Sequence, residues 1–216
     1  MQTEFHTKRE FGLFLTFIGG AMDAFTFIKY NAFPVAQSGN LIIGIYDLYN
    51  RNVAQAIYKF AAVIAFFAGV VFTNLCRLFV EQRLKDDRFY LSVLVIEAIT
   101  FGIVGLPMVI LHLHLVLPVI AFVVSMQWTL FNTMEGQSYV NLYVSGNIKG
   151  LASEVVLFLF GKANLQNLGR YLLLTIFFVL GAISASLMLW IGGGSLAAFW
   201  IGGLFLGLTA VAWSTI

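Results

Sequence analysis

The sequence predicts an all-α membrane protein: six transmembrane helices forming two inverted three-helix repeats, each with a short interrupted or re-entrant helix. Three observations predict it. The chain is 60% hydrophobic and only 10% charged, whereas a soluble domain is about 25% charged. Its apolar runs are about 20 residues long and rich in Leu, Ile, Phe, Ala and Gly, without the alternation of barrel strands. A polar triplet, Ser-Gly-Asn, interrupts the chain at 38–40 and again at 145–147.

The elements follow in order. Residues 1–10 carry Lys8 and Arg9 and read as a cytoplasmic N-terminus. The run from Phe11 to Tyr30 resembles a signal peptide only superficially. It is long, holds Asp23 and lacks a small-x-small cleavage pattern, so it reads as a retained first span. Five more spans are expected near 54–80, 90–111, 115–134, 170–191 and 194–214. Between them, Gly39–Tyr49 would rise only about 16 Å as a helix and Gly146–Phe160 about 22 Å, against a core of about 30 Å. These two segments read as half-helices or re-entrant pieces.

Charge placement supports that count. With the N-terminus inside, Lys8, Arg9, Arg77, Arg83, Lys85, Arg88, Lys149, Lys162 and Arg170 face the cytoplasm, and only Lys29, Arg51 and Lys59 fall outside. Nine against three agrees with the positive-inside rule. Both termini are then cytoplasmic.

The two halves, 11–112 and 113–216, also match. Each runs span, Ser-Gly-Asn break, span with a central Gly, span. Met22-Asp23 aligns with Met126-Gln127, and Gly69 aligns with Gly181. An odd number of spans per copy inverts one copy against the other, as in many secondary transporters.

The stretches "MDAFTFIKYNAFPVAQSGN" and "SMQWTLFNTMEGQSYVNLYVSGN" resemble the YoaK-like (DUF1275) bacterial multi-pass membrane proteins over nearly the whole chain. That resemblance implies a bacterial inner-membrane fold and assigns no chemistry.

The residues themselves suggest where chemistry would lie. Asp23 falls near mid-depth, where a carboxylate is costly unless paired, protonated or hydrated. Gln127 is its repeat mate. Ser38, Gly39 and Asn40, with Ser145, Gly146 and Asn147, would start the short helices, with Ser and Asn as caps and free N–H groups aimed at the midplane. These eight residues form the expected substrate site, with Asp23 and Glu97 as coupling groups. A structural reading stands beside it: Asp23 and the triplets satisfy one another in a packed interior.

Other features carry less. Cys76 is the one cysteine and reads as a packing residue. His112 and His114 give two ligands without a third, which makes no metal site. Gly203 and Gly207 form a GxxxG that permits close packing within the chain or in a homodimer. Trp190, Trp200 and Trp213 read as interfacial or lipid-facing bulk. No P-loop, HExxH, GxSxG, GxGxxG or zinc cluster appears, and no basic nucleic-acid surface. The expectation is therefore no enzyme, cofactor or nucleic-acid partner. The chain reads as a transporter or channel for a small polar or anionic solute, or else as a sensor, assembly factor or partner subunit in the bilayer.

Overall fold

The computed structural model describes residues 5–80, 87–110 and 112–215. Residues 81–86, with Arg83 and Lys85 of the expected cytoplasmic charges, lie outside the described residues. After a 3₁₀ turn at Phe5–Thr7, the described residues form seven α-helices: α1 Arg9–Tyr30, α2 Gln37–Tyr49, α3 Val53–Val80, α4 Asp87–Val104, α5 Leu113–Leu130, α6 Val144–Leu159 and α7 Leu165–Trp213. A small hairpin pairs β1 Thr133–Met134 with β2 Gln137–Ser138. Glu135 and Gly136, both at positive φ (52° and 75°), make its two-residue turn, as the twist of hairpin strands favours.

Among the described residues three helices, α1, α3 and α7, are long and apolar enough to cross a membrane; α5 is a shorter apolar helix. Helical form suits them because every backbone polar group is satisfied within the segment. Local residues set the ends. α1 stops at Asn31, which turns left-handed (φ 50°) and returns its N–H to the Phe27 carbonyl at 2.8 Å. α4 ends at Val104, short of the expected 111, before Gly105 and Pro107. α7 begins at Leu165 rather than 170, because the Asn164 side chain accepts from the N–H groups of Gln166 and Asn167.

The 49 residues of α7 are not one rod. Gly193 has φ 71° and ψ −166°, a conformation essentially reserved for glycine. The chain reverses there. Leu174, in the first limb, shares a cluster with Leu13 of α1. Gly207 and Leu208, in the second limb, face Phe11 and Phe14 of the same helix. The break falls between the two expected spans, 170–191 and 194–214.

Packing interleaves the two halves of the chain. α1 runs parallel to the first limb of α7. A side chain at Gly20 would overlap the Phe178 carbonyl, and one at Gly181 would overlap the Phe17 carbonyl, so these backbones touch. α3 likewise runs parallel to α5, where Gly69 abuts the Phe122 carbonyl and the Ser125 hydroxyl. α4 lies antiparallel to the second limb of α7, with the rings of Phe101 and Phe205 6.1 Å apart. The main core gathers Leu15, Ile18, Met22, Phe25, Leu94, Phe101, Ile201 and Phe205 among others.

α2 and α6 are peripheral. α2 packs on α3 and α6 on α7, without substantial contact between the two. Their outer faces are apolar: Ile42, Ile45 and Tyr49 on α2, and Val156, Phe158 and Phe160 at the end of α6, are well exposed. Gly203 and Gly207 meet nothing within 4 Å, and the close contact of that limb with α4 falls on Gly202 instead. Trp190 and Trp213 are exposed and Trp200 partly so.

Candidate functional site

α4 and α5 are antiparallel neighbours, and their crossing brings Glu97 against Gln127. Both are fully buried. With the amide nitrogen turned toward Glu97, it lies 2.6 and 3.2 Å from the two carboxyl oxygens. In the opposite orientation the amide oxygen faces Glu97, and Nε2 reaches Asn141 Oδ1 at 3.5 Å. Each orientation matches one state of the acid. An ionised Glu97 accepts from Nε2. A protonated Glu97 donates to the amide oxygen and leaves Nε2 for Asn141.

Asn141 continues the chain of polar groups. It is 2% exposed, and its Nδ2 donates to the Phe131 carbonyl at 2.9 Å and to the Tyr139 hydroxyl at 3.3 Å. Burial pushes the Tyr139 phenol up, opposed by its bond to Asn141, so it remains a neutral hydroxyl. Asn141 and Tyr139 line a pocket of about 280 Å³ with Trp128, Phe131, Asn132 and Ser138. Polar side chains thus lead from that pocket to the carboxyl of Glu97.

The other expected residues are placed differently. Asp23, on α1, is partly exposed, and its buried Oδ1 has no hydrogen-bond partner among the described residues. Asn40 donates to the Phe33 carbonyl at 2.6 Å and to Gln37 Oε1 at 3.0 Å, and accepts from the Phe33 N–H at 2.8 Å. Asn147 donates to the Val140 carbonyl at 3.2 Å. Each Asn therefore ties down the loop seven residues before it. The expectation that Ser and Asn cap these helices is corrected. Their N-caps are Ala36 and Tyr143, neither with a side-chain cap bond, so the triplets lie inside the first turn. Ser38, Ser145 and Gly146 are exposed, and Gly39 is half-buried beside the Phe33 ring. The two triplets do not meet.

Sequence reasoning missed a second repeated feature. Asp47 and Glu154 each follow their Asn by seven residues, and both are buried. Asp47 pairs with Lys59 at 3.1 Å, and Lys59 Nζ also donates to Gln55 at 3.1 Å. Lys59, expected among the outer charges, is 1% exposed. Glu154 accepts from the Asn164 N–H at 3.2 Å and Asn167 Nδ2 at 3.4 Å. The signal was present as Ser-Gly-Asn, six residues, then an acid, in both halves. Asn141 was missed too, since nothing in its local sequence marks it. Among the described residues no group of three or more His, Cys, Asp or Glu could hold a metal.

These features define an all-α protein whose apolar helices suit a membrane and whose interior holds a carboxyl–amide pair. The chain belongs to a family described as "Protein of unknown function (DUF1275)", whose family model matches residues 11–212. No curated protein and no solved structure matches the chain significantly.

Proposed function

We propose that the chain is a small transporter or channel of the bacterial inner membrane. It crosses six times as two inverted repeats and moves a small polar or anionic solute near the midplane. The carrying observation is the buried series Glu97, Gln127 and Asn141, which leads to the pocket beside Tyr139. An intramembrane acid facing the protein interior is costly to keep and is the usual mark of a proton or solute path. Glu97 takes and releases the proton, and the Gln127 amide turns with it. Asp23, whose Oδ1 has no hydrogen-bond partner among the described residues, supplies the second coupling group.

The packing supports the inverted arrangement. Gly69 meets Phe122 and Ser125, and Gly181 meets Phe17 and Ala21. Aligning Met22 with Met126 superposes these neighbourhoods to within one residue. The Asn tethers at 40 and 147 correspond as well. In this reading both termini lie in the cytoplasm, and the solute passes where α4 and α5 cross rather than between the triplets.

One observation favours the second reading, a non-transporting sensor, assembly factor or subunit. Asn40 and Asn147 are satisfied by their own loops, as structural residues would be. Proteoliposomes loaded with a pH-sensitive dye separate the two. Small organic anions and polar solutes presented one at a time should drive solute-dependent internal pH changes. Glu97→Gln keeps the shape and hydrogen bonding of the site but cannot titrate. It should cut that flux at least tenfold while leaving the unfolding temperature nearly unchanged. If no solute exceeds empty liposomes, or Glu97→Gln matches wild type, the transport reading fails.

A further inference from the structure

α1 and α7 begin side by side. Arg9 opens α1, and one of its guanidinium nitrogens lies 3.9 Å from where a side chain on Gly169 would start. Arg170 is the next residue of α7. It is 6% exposed, its Nε has no hydrogen-bond partner among the described residues, and its Cζ stands 5.2 Å from the Tyr171 ring centroid. Both arginines line a polar pocket of about 180 Å³, with Gln137, Gln166, Asn167 and Glu135.

The charges do not cancel. Neither guanidinium makes an ion pair among the described residues. Glu135 is exposed, on the hairpin that its backbone N–H anchors to the Thr7 carbonyl at 2.8 Å. Glu154, near Asn167, is already engaged with the Asn164 N–H and Asn167 Nδ2. Two guanidiniums thus face one exposed carboxylate, and a buried, unpaired guanidinium is expensive. The planar fork of arginine matches phosphate oxygens two at a time. The volume holds one phosphate group and its near atoms. Amide side chains of Gln137 and Gln166 add neutral donors at the wall.

We propose that this pocket binds a phosphate group between Arg9 and Arg170. The group comes from an anionic lipid headgroup or from a free phosphate, since the start of two apolar helices is the level at which basic pockets meet headgroups. The site lies apart from Glu97 and concerns binding alone, so it stands or falls separately from transport.

The test uses the full chain in a non-ionic detergent, with unfolding followed by tryptophan fluorescence. Inorganic phosphate is titrated against chloride at matched ionic strength. In a parallel arm, mixed micelles carry phosphatidylglycerol or phosphatidylcholine. At least one anionic probe should raise the unfolding temperature of wild type by several degrees. Stabilisation by phosphatidylglycerol alone identifies a headgroup; stabilisation by inorganic phosphate as well identifies a pocket open to free phosphate. Arg9→Gln and Arg170→Gln should each weaken the apparent affinity about tenfold. Glu135→Gln should strengthen it, and Lys162→Gln, an exposed charge nearby, should leave it unchanged. If Arg170→Gln does not fold, Arg9→Gln decides, because Arg9 is partly exposed at a helix end. No shift with either probe, or a full shift retained in Arg9→Gln, overturns the site.

Discussion

At the residue scale, the buried charges separate into two kinds. Asp47 and Lys59 are a closed pair: both buried, 3.1 Å apart, with Gln55 taking a further lysine proton. Such a pair adds little over an apolar replacement, but breaking it strands one charge. Asp47→Ala should therefore cost about 3–5 kcal/mol by leaving Lys59 unpaired. Asp47→Ala with Lys59→Met should recover most of that loss. Chemical denaturation of the single and double variants checks it, and a double variant as unstable as the single would show that packing rather than charge dominates. Glu97 is the other kind, a carboxyl beside an amide, with no ion pair among the described residues. Sequence marked Glu97 and Gln127, because an acid or amide in an apolar run is conspicuous. It could not mark their contact, which depends on how α4 and α5 cross. Lys59 misled for the opposite reason: a lysine near a helix end normally reaches water, and here Asp47 draws it inward.

At the element scale, contact between backbones sets helix pairing. Gly20 and Gly181 let α1 and the first limb of α7 touch, and Gly69 does the same for α3 against α5. Gly181→Leu should separate the first pair, since no rotamer avoids the Phe17 carbonyl. Overpacking of this kind costs about 1–3 kcal/mol, and backbone overlap places this site at the upper end. A Cβ at the exposed Gly203 meets nothing within 4 Å, so Gly203→Leu should leave the monomer's unfolding temperature nearly unchanged. Equal loss in both variants would contradict the assigned interface. The apolar helices were legible from hydropathy, and so was the break between 191 and 194, where three glycines follow one another. Helix starts were less legible. Capped by Asn164, α7 starts at Leu165, five residues before the expected start, and the Ser-Gly-Asn triplets sit inside their helices because Asn can tether a loop as readily as it caps. The exposed GxxxG shows that a motif of small residues gives permission for contact, not its location.

At the scale of the whole molecule, the proposed topology makes a direct prediction. In a chain with Cys76 replaced, a cysteine at residue 50 should react with a membrane-impermeant reagent from outside, and one at residue 85 from inside. Labelling of both from one side would exclude the six-span inverted arrangement and favour α2 and α6 as full crossings. The exposed apolar faces of α2 and α6 are then the surfaces to re-examine, since they would meet lipid along their whole length.

The pairing of α1 with α7 also has a consequence for biosynthesis. Gly20 of α1 leaves the ribosome about 160 residues before its close backbone partner around Gly181, roughly 10–30 s at ordinary elongation rates. Throughout that interval Gly20 lacks its α7 mate, while α3 and α5 are both synthesised before α7 emerges. Nascent chains ending before Gly181 should accordingly leave α1, held by its contacts with Phe101 of α4 and with Asn141, more protease-sensitive than chains extended through Ala212.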